Sequence, residues 1–299
     1  MSAITLDGNR LADDLKADMV ARVAALAERG ITPGLGTILV GDDGPSAKYV
    51  GMKHRDCAEM GMHSVDRRLP ADASQDDVHA AIDELNADPS VDAFIVQYPF
   101  PKGLDYGRAL LRVDPAKDAD GLHPVNLGLL VMGESAPVAC TPRGIVHMLH
   151  AYDVPVAGRH VVIVGRGLTI GRPLANLLAL KGPDTNAAVT VVHTGVEDLG
   201  AYTRTADIVV AAAGAPGLIT ADMVRPGAAV VAAGVSVIDG KVVSDVDDQV
   251  AEVAGWLSPR IGGVGAMTRA FLLMNTLEAA ERAADRDAAA AGAAGTLDP

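Results

Sequence analysis

Apolar Leu11, Leu15, Met19, Val23 and Leu26 fall three or four residues apart, which predicts an amphipathic helix over 11–26 with Gly30 as its stop. The run 35–40 is continuously apolar or small and reads as a buried strand. A loop, Gly41-Asp-Asp-Gly-Pro45, then leads into a helix that carries Tyr49 and Lys53, with Ser46 as its expected N-cap. A short strand near 62–67, a helix opened by Ser74-Gln-Asp-Asp77 and a strand over 93–97 continue the alternation. The second half repeats this grammar. Apolar runs at 161–165, 189–193, 207–213 and 228–234 are separated by helical or loop spacers, and a helix is expected from Met267 through Ala280. Strand and helix in turn imply an α/β protein built on parallel sheet. No repeat of fixed period relates the halves. Beyond Arg282 the alanine- and glycine-rich residues offer little to anchor a core, so 286–299 is expected to be a mobile tail.

Composition narrows the function classes. The chain has 299 residues, enough for two domains, and its 49% apolar and 21% charged content is that of a globular protein, with aromatics at 3%. A net charge of −13 without a basic patch argues against a nucleic-acid partner. Cys57 and Cys140 lie far apart and suggest neither a disulfide framework nor a metal site. The N-terminus lacks the basic-then-apolar pattern of a signal peptide, and no apolar run is long enough to span a bilayer, so no membrane role and a cytoplasmic location are expected.

Candidate chemistry begins with Val164-Gly165-Arg166-Gly167-Leu-Thr-Ile-Gly171, which follows a predicted strand and opens a predicted helix. In that context Gly165 would permit the turn, Gly167 the approach of a pyrophosphate and Gly171 the packing of helix on strand. The spacing is one residue longer than the usual dinucleotide fingerprint, and a purely structural βα turn is the competing reading. NAD sites place an acid at the end of the next strand, whereas this chain has His193-Thr194 there and Arg166 nearby, which favours NADP with NAD as second candidate. Tyr49 and Lys53 stand at i and i+4, so a phenol and an ammonium can face one ligand; by itself Lys53 also reads as a solvated surface charge. Short-chain dehydrogenases carry Tyr-x-x-x-Lys after the glycine turn, whereas here it comes first, so another architecture is indicated. Gln97 ends a buried strand, where open α/β sheets bind ligands. The acid-rich turn 114–121 reads locally as a solvated loop.

Taken in order, the segments resemble the bifunctional methylenetetrahydrofolate dehydrogenase/methenyltetrahydrofolate cyclohydrolase family. The likeness rests on Tyr49-Val-Gly-Met-Lys53, Val96-Gln-Tyr-Pro-Phe-Pro101, Pro115-Ala-Lys-Asp-Ala-Asp-Gly-Leu-His-Pro-Val-Asn126, Cys140-Thr-Pro-Arg-Gly144, the glycine turn, Gly262-Gly-Val-Gly-Ala-Met-Thr268 and Leu272-Leu-Met-Asn-Thr276. The resemblance implies an N-terminal α/β catalytic domain (1–140 with 270–285) and a Rossmann-like NADP-binding domain (141–269), the last helix returning to the first domain. It implies a homodimer that oxidises 5,10-methylenetetrahydrofolate with NADP⁺ and hydrolyses the methenyl product to 10-formyltetrahydrofolate.

By the same resemblance Lys53 is the general acid-base group, Gln97 its partner, Tyr49 a ring packed on the folate and Asp120 the acceptor for pterin N–H groups. Gly262 and Gly265 join the substrate site. Gly165, Arg166, Gly167, Thr169, Ile170, Gly171, His193, Thr194, Ala213, Gly214 and Val235 line the cofactor. The chain departs from the family pattern at Gly167, Thr194, Ala232, Ile261 and Ala266, all on the cofactor side or in the ligand-clamping loop. Two other readings are a shikimate-dehydrogenase-like oxidoreductase, which folate binding would exclude, and a catalytically silent nucleotide-binding protein, which turnover would exclude.

Overall fold

The structure, a computed structural model, describes residues 3–41 and 44–294. In chain order the elements are β1 (Ile4–Thr5), α1 (Gly8–Glu28), β2 (Gly34–Val40), α2 (Gly44–Glu59), β3 (His63–Leu69), α3 (Gln75–Ala87) and β4 (Ala93–Val96). There follow α4 (Tyr106–Arg112), α5 (Pro124–Met132), α6 (Cys140–Ala151), β5 (His160–Val164), α7 (Gly171–Ala179), β6 (Ala188–Val192), α8 (Gly200–Thr203) and β7 (Ile208–Ala211). The chain closes with β8 (Ala229–Ala232), β9 (Val235–Ile238), β10 (Lys241–Ser244), β11 (Trp256–Leu257) and α9 (Val264–Ala294). Packing divides them into two units, residues to 14 with Leu127–Phe271, and Leu15–Asn126 with residues from Leu272 on.

The second of these units is built on a three-stranded parallel sheet of order β3-β2-β4. Its central strand β2 is buried at every position, as a strand with neighbours on both edges and helices over its faces must be. The edge strand β3 instead carries Asp66, Arg67 and Arg68, charges that guard a free edge. Ile38, Val78, Ile82, Leu85 and Phe94 form the core between sheet and α3. Helix α3 starts where the sequence signals it: Ser74 caps the Asp77 N–H, and the Asp77 carboxylate accepts the Ser74 N–H in return. The later part of α9 belongs to this unit, as expected of a last helix that returns to the first domain. Arg22 of α1 forks onto Glu281 with N···O distances of 2.9 and 2.6 Å, and Asn275 donates to the Ala119 carbonyl at 2.9 Å.

Two local expectations need correction. Ser46 is not an N-cap, because α2 begins two residues earlier at Gly44. Pro45 explains the early start: its fixed φ suits the first helical turn and its missing N–H costs nothing there. Helix α9 is also longer than the expected 267–280. Residues 286–294 of the expected mobile tail continue it, with 286–289 exposed, and 295–299 lie outside the described residues.

The six-stranded sheet of the other unit has the order β1-β11-β8-β7-β5-β6, with every neighbouring pair parallel. Strands β7 and β8 are buried throughout, and β5 from Val161 on. Their Val- and Ile-rich runs are therefore continuous rather than alternating. β1 pairs with β11, and the Asp7 N–H donates to the Tyr152 hydroxyl at 2.9 Å, which is why the first residues pack here. The packing division at 126/127 thus differs from a boundary drawn by role at 140. A separate antiparallel ribbon, β9–β10, leaves Val235, Val237 and Ile238 exposed.

Candidate active site

In the three-stranded unit, polar groups gather at the carboxyl end of β4. The Gln97 N–H continues the ladder by donating to the Ile38 carbonyl at 2.8 Å, which carries the amide side chain just past the strand end. Lys53 projects from α2 and is only 5% exposed. Its Nζ donates to Gln97 Oε1 at 3.1 Å and stands 4.6 Å from the centre of the Tyr49 ring, so the i, i+4 pair does converge. Gln97 Nε2 donates in turn to the Tyr98 carbonyl at 2.7 Å, which fixes the orientation of the amide. Lysine thus meets a neutral acceptor rather than a carboxylate at this contact.

Asp120 reaches the same strand end along a different path. Asp118 bridges Phe94 in parallel register, and the Ala119 N–H donates to the Phe94 carbonyl at 3.2 Å, so the chain runs beside β4 toward Gln97. Burial pushes the Tyr106 phenol far up, and the nearby charges of Asp120 and Asp118 push it further. The acid-rich turn is therefore not a solvated loop throughout. Asp118 is 4% exposed and accepts from the His123 N–H at 2.7 Å and from Asn126 Nδ2 at 2.9 Å. Asp118, Asn126 and Asn275 hold this segment, roles that no local spacing in the sequence signals. Neighbouring groups are quiet by comparison. Burial, reinforced by Asp56, pushes the Cys57 thiol up to about 12, and burial holds the His54 imidazole below its ordinary value.

In the six-stranded unit the chain leaves β5 toward β6 on one side and returns to β7 on the other, so β5/β7 is a topological switch point. A cavity of about 360 Å³ opens there, lined by Gly165, Arg166, Gly167, His193, Thr194, Gly195, Ala212 and Ala213. The three glycines differ as a dinucleotide turn requires. Gly165 has φ +134°, and a Cβ on it would collide with the Ala212 carbonyl; one on Gly171 would collide with the Gly165 carbonyl. A Cβ on Gly167 would meet nothing within 4 Å, so only the open cavity gains from its being bare. These residues fit a dinucleotide: one glycine is required by the turn, one by helix packing, and one leaves room for a ligand. Arg166 is exposed on the rim and enters no ion pair among the described residues. The Gly195 N–H donates to His193 Nδ1 at 3.1 Å.

Tyr49, Lys53, Gln97 and Asp120 thus share one unit. Gly165, Arg166, Gly167, His193, Thr194 and Ala213 share the cavity of the other. Thr169 is exposed and Ile170 half-buried in the turn before α7, Gly214 directly follows Ala213, and Val235 opens the β9 ribbon. Gly262 and Gly265 also belong to the six-stranded unit, where the Gly262 carbonyl accepts the Asn9 N–H at 2.9 Å and Gly265 lies exposed in the first turn of α9. Asp245, fully buried behind Ala213 and Gly214, has no local signal in the sequence. Among the described residues no helix is long and apolar enough to cross a membrane.

Comparison with known proteins brings both halves into one frame. Residues 6–120 match the catalytic domain of tetrahydrofolate dehydrogenase/cyclohydrolase, and residues 139–284 match the NAD(P)-binding domain of the same family. The bifunctional protein FolD of Syntrophotalea carbinolica is 56% identical over 286 residues, covering 96% of this chain and 99% of that one. Among solved structures, the bifunctional enzyme FolD of Campylobacter jejuni superposes with a TM-score of 0.90 at 37% identity, covering 94% of this chain and 99% of its own. The methylenetetrahydrofolate dehydrogenase-cyclohydrolase of Trypanosoma brucei, solved with NADP cofactor and an inhibitor, gives 0.89 at 36% identity, covering 95% and 99%.

Proposed function

The chain belongs to the tetrahydrofolate dehydrogenase/cyclohydrolase family, and from that premise we propose how its own residues carry the two activities. The enzyme oxidises 5,10-methylenetetrahydrofolate to the 5,10-methenyl cation with NADP⁺ and hydrolyses that cation to 10-formyltetrahydrofolate. This reading displaces the shikimate-dehydrogenase-like and silent alternatives. By role, residues 1–140 with 270–285 serve the folate and 141–269 serve NADP.

NADP, when bound, supplies the hydride acceptor. The protein's part in that step is alignment, because the methylene carbon already has adjacent nitrogens to stabilise the developing cation. Gly165, Gly167 and Gly171 shape the turn, with Thr169 and Ile170 completing it. Arg166 would pair with the ribose phosphate, and His193, Thr194, Ala213, Gly214 and Val235 would hold the remaining cofactor. Hydrolysis needs protons moved as water adds and the ring nitrogen departs. The observation that carries the assignment is the buried Lys53 ammonium on the Gln97 amide oxygen. A buried lysine that donates to an amide oxygen is the kind of amine that can give and retake a proton. Tyr49 packs on the folate and positions Lys53, and Asp120 accepts from the pterin N–H groups.

The test is a dual-wavelength assay with 5,10-methylenetetrahydrofolate that follows reduced nicotinamide and methenyl intermediate separately, with NADP⁺ and NAD⁺ in parallel. Reduction with NADP⁺ and no methenyl build-up is expected; accumulating methenyl would defeat the Lys53 assignment, and preference for NAD⁺ the Arg166 assignment. We place the enzyme in the cytoplasm as a homodimer. The exposed Val235, Val237 and Ile238 of the β9–β10 ribbon support pairing with a second copy; a single-chain mass by light scattering would overturn it.

A further inference from the structure

Asp245 is a charged side chain with no exposed surface. Its Oδ2 accepts the N–H groups of Ala213 at 2.7 Å and Gly214 at 2.8 Å, two consecutive donors of the turn that follows β7. Its Oδ1 is buried with no hydrogen-bond partner among the described residues. Taking a carboxylate out of water for two amide donors and no cation is costly, so stability alone is a poor reason for its presence.

Its surroundings are built around it. The Asp245 N–H donates to the Gly234 carbonyl at 3.1 Å, and the Gly234 N–H to the Ala211 carbonyl at 2.7 Å. A Cβ on Gly234 would collide with the Asp245 carboxylate, so glycine there makes room for the charge. On the other side, the Ala212 N–H donates to the Val164 carbonyl at 2.7 Å, and the Ala212 carbonyl closes against Gly165. Asp245, the 212–214 turn and the glycine turn are thus stacked in contact, and the last two are walls of the cavity.

We propose that Asp245 is a positioning residue for cofactor binding: its carboxylate holds the Ala212–Gly214 turn in place as one wall of the NADP cavity. It acts through two backbone N–H groups and does not touch the cofactor. Charge-assisted bonds to a carboxylate are shorter and stronger than bonds to water, so the turn is held ready before the cofactor arrives. The inference rests on the placement of NADP in this cavity.

The experiment is calorimetric titration of NADP⁺ into the full-length protein and its Asp245→Ala and Asp245→Asn variants, with dehydrogenase KM and kcat measured alongside. Methenyl hydrolysis without cofactor, in the same preparations, reports the folded fraction. Asp245→Ala is expected to raise Kd and KM for NADP⁺ by about ten-fold, more than it lowers kcat, as hydrolysis changes by less than about two-fold. Asp245→Asn keeps an oxygen that can accept both N–H groups and is expected to recover Kd to within about three-fold of the wild type. An unchanged Kd in Asp245→Ala overturns the inference, as does hydrolysis falling in step with the dehydrogenase. Should that variant fail to fold, Gly234→Ala crowds the carboxylate from behind and carries the same test. A wild type that binds no NADP⁺ would overturn the cofactor placement itself, and this inference with it.

Discussion

In the three-stranded unit the candidate site is made of side chains: an ammonium, an amide, a phenol and a carboxylate brought to one strand end from α2, β4 and the segment beyond α4. In the six-stranded unit the cavity is lined mostly by small residues, Gly165, Gly167, Gly195, Ala212 and Ala213, with Arg166, His193 and Thr194. Each half is vulnerable in its own way. A site built of side chains depends on the chemistry of single atoms, and changing one should remove a reaction while the fold survives. A site built of backbone depends on the absence of atoms, and adding one methyl should cost either the turn or the ligand, according to where it points.

The largest expected effect sharpens the first half of that contrast. Lys53→Met keeps a long apolar stem but no transferable proton, so methenyl hydrolysis should fall by about 10²–10⁴-fold, the usual worth of general acid-base catalysis, with part of the dehydrogenase retained. Undiminished hydrolysis would sink the assignment of Lys53. The next effect probes the backbone half with a single methyl at two places. Gly165→Ala should lower stability by at least about 1–3 kcal/mol from its φ of +134° alone, with the collision against Ala212 added, as read by denaturant titration. Gly167→Ala should change stability by no more than about 0.5 kcal/mol yet weaken NADP⁺, because its methyl would meet no protein atom within 4 Å while Gly167 lines the cavity. Equal stability losses at the two glycines would show that both are required by the turn. The smallest effect lies on the rim. Arg166→Ala should raise the KM for NADP⁺ by about ten-fold with little change for NAD⁺, as expected from loss of one exposed charge-assisted contact. An unaltered NADP⁺ KM would assign the phosphate to another residue.

The same contrast explains what could be read in advance. Gly165, Gly167 and Gly171 announce a turn by local spacing, because a strand, a tight turn and a helix are consecutive in the chain. The alternation of apolar runs likewise gave the parallel α/β architecture, since each run must be buried by its immediate neighbours. Tyr49 and Lys53 were visible as a helical pair, but that Lys53 is buried on Gln97 depends on a residue forty-four positions away. Asp118 looked like part of a solvated loop, and only its bonds to His123 and Asn126 show it built in. Ser46 lies inside the first turn of α2 rather than before it, because the helix starts at Gly44 and helices accept a proline such as Pro45 in their first turn.

Periodicity, glycine spacing and a set of ordered motifs in the sequence determined the class of fold, the family resemblance and the glycine turn, because these are properties of neighbouring residues along one chain. Tertiary structure alone decided the pairing of β1 with β11, the return of α9 to Arg22 and Ala119, and the burial of Asp245 behind the cofactor turn. Each of those joins residues far apart in sequence, and whether a carboxylate faces water or two amide N–H groups is set by what packs over it, which no local pattern encodes.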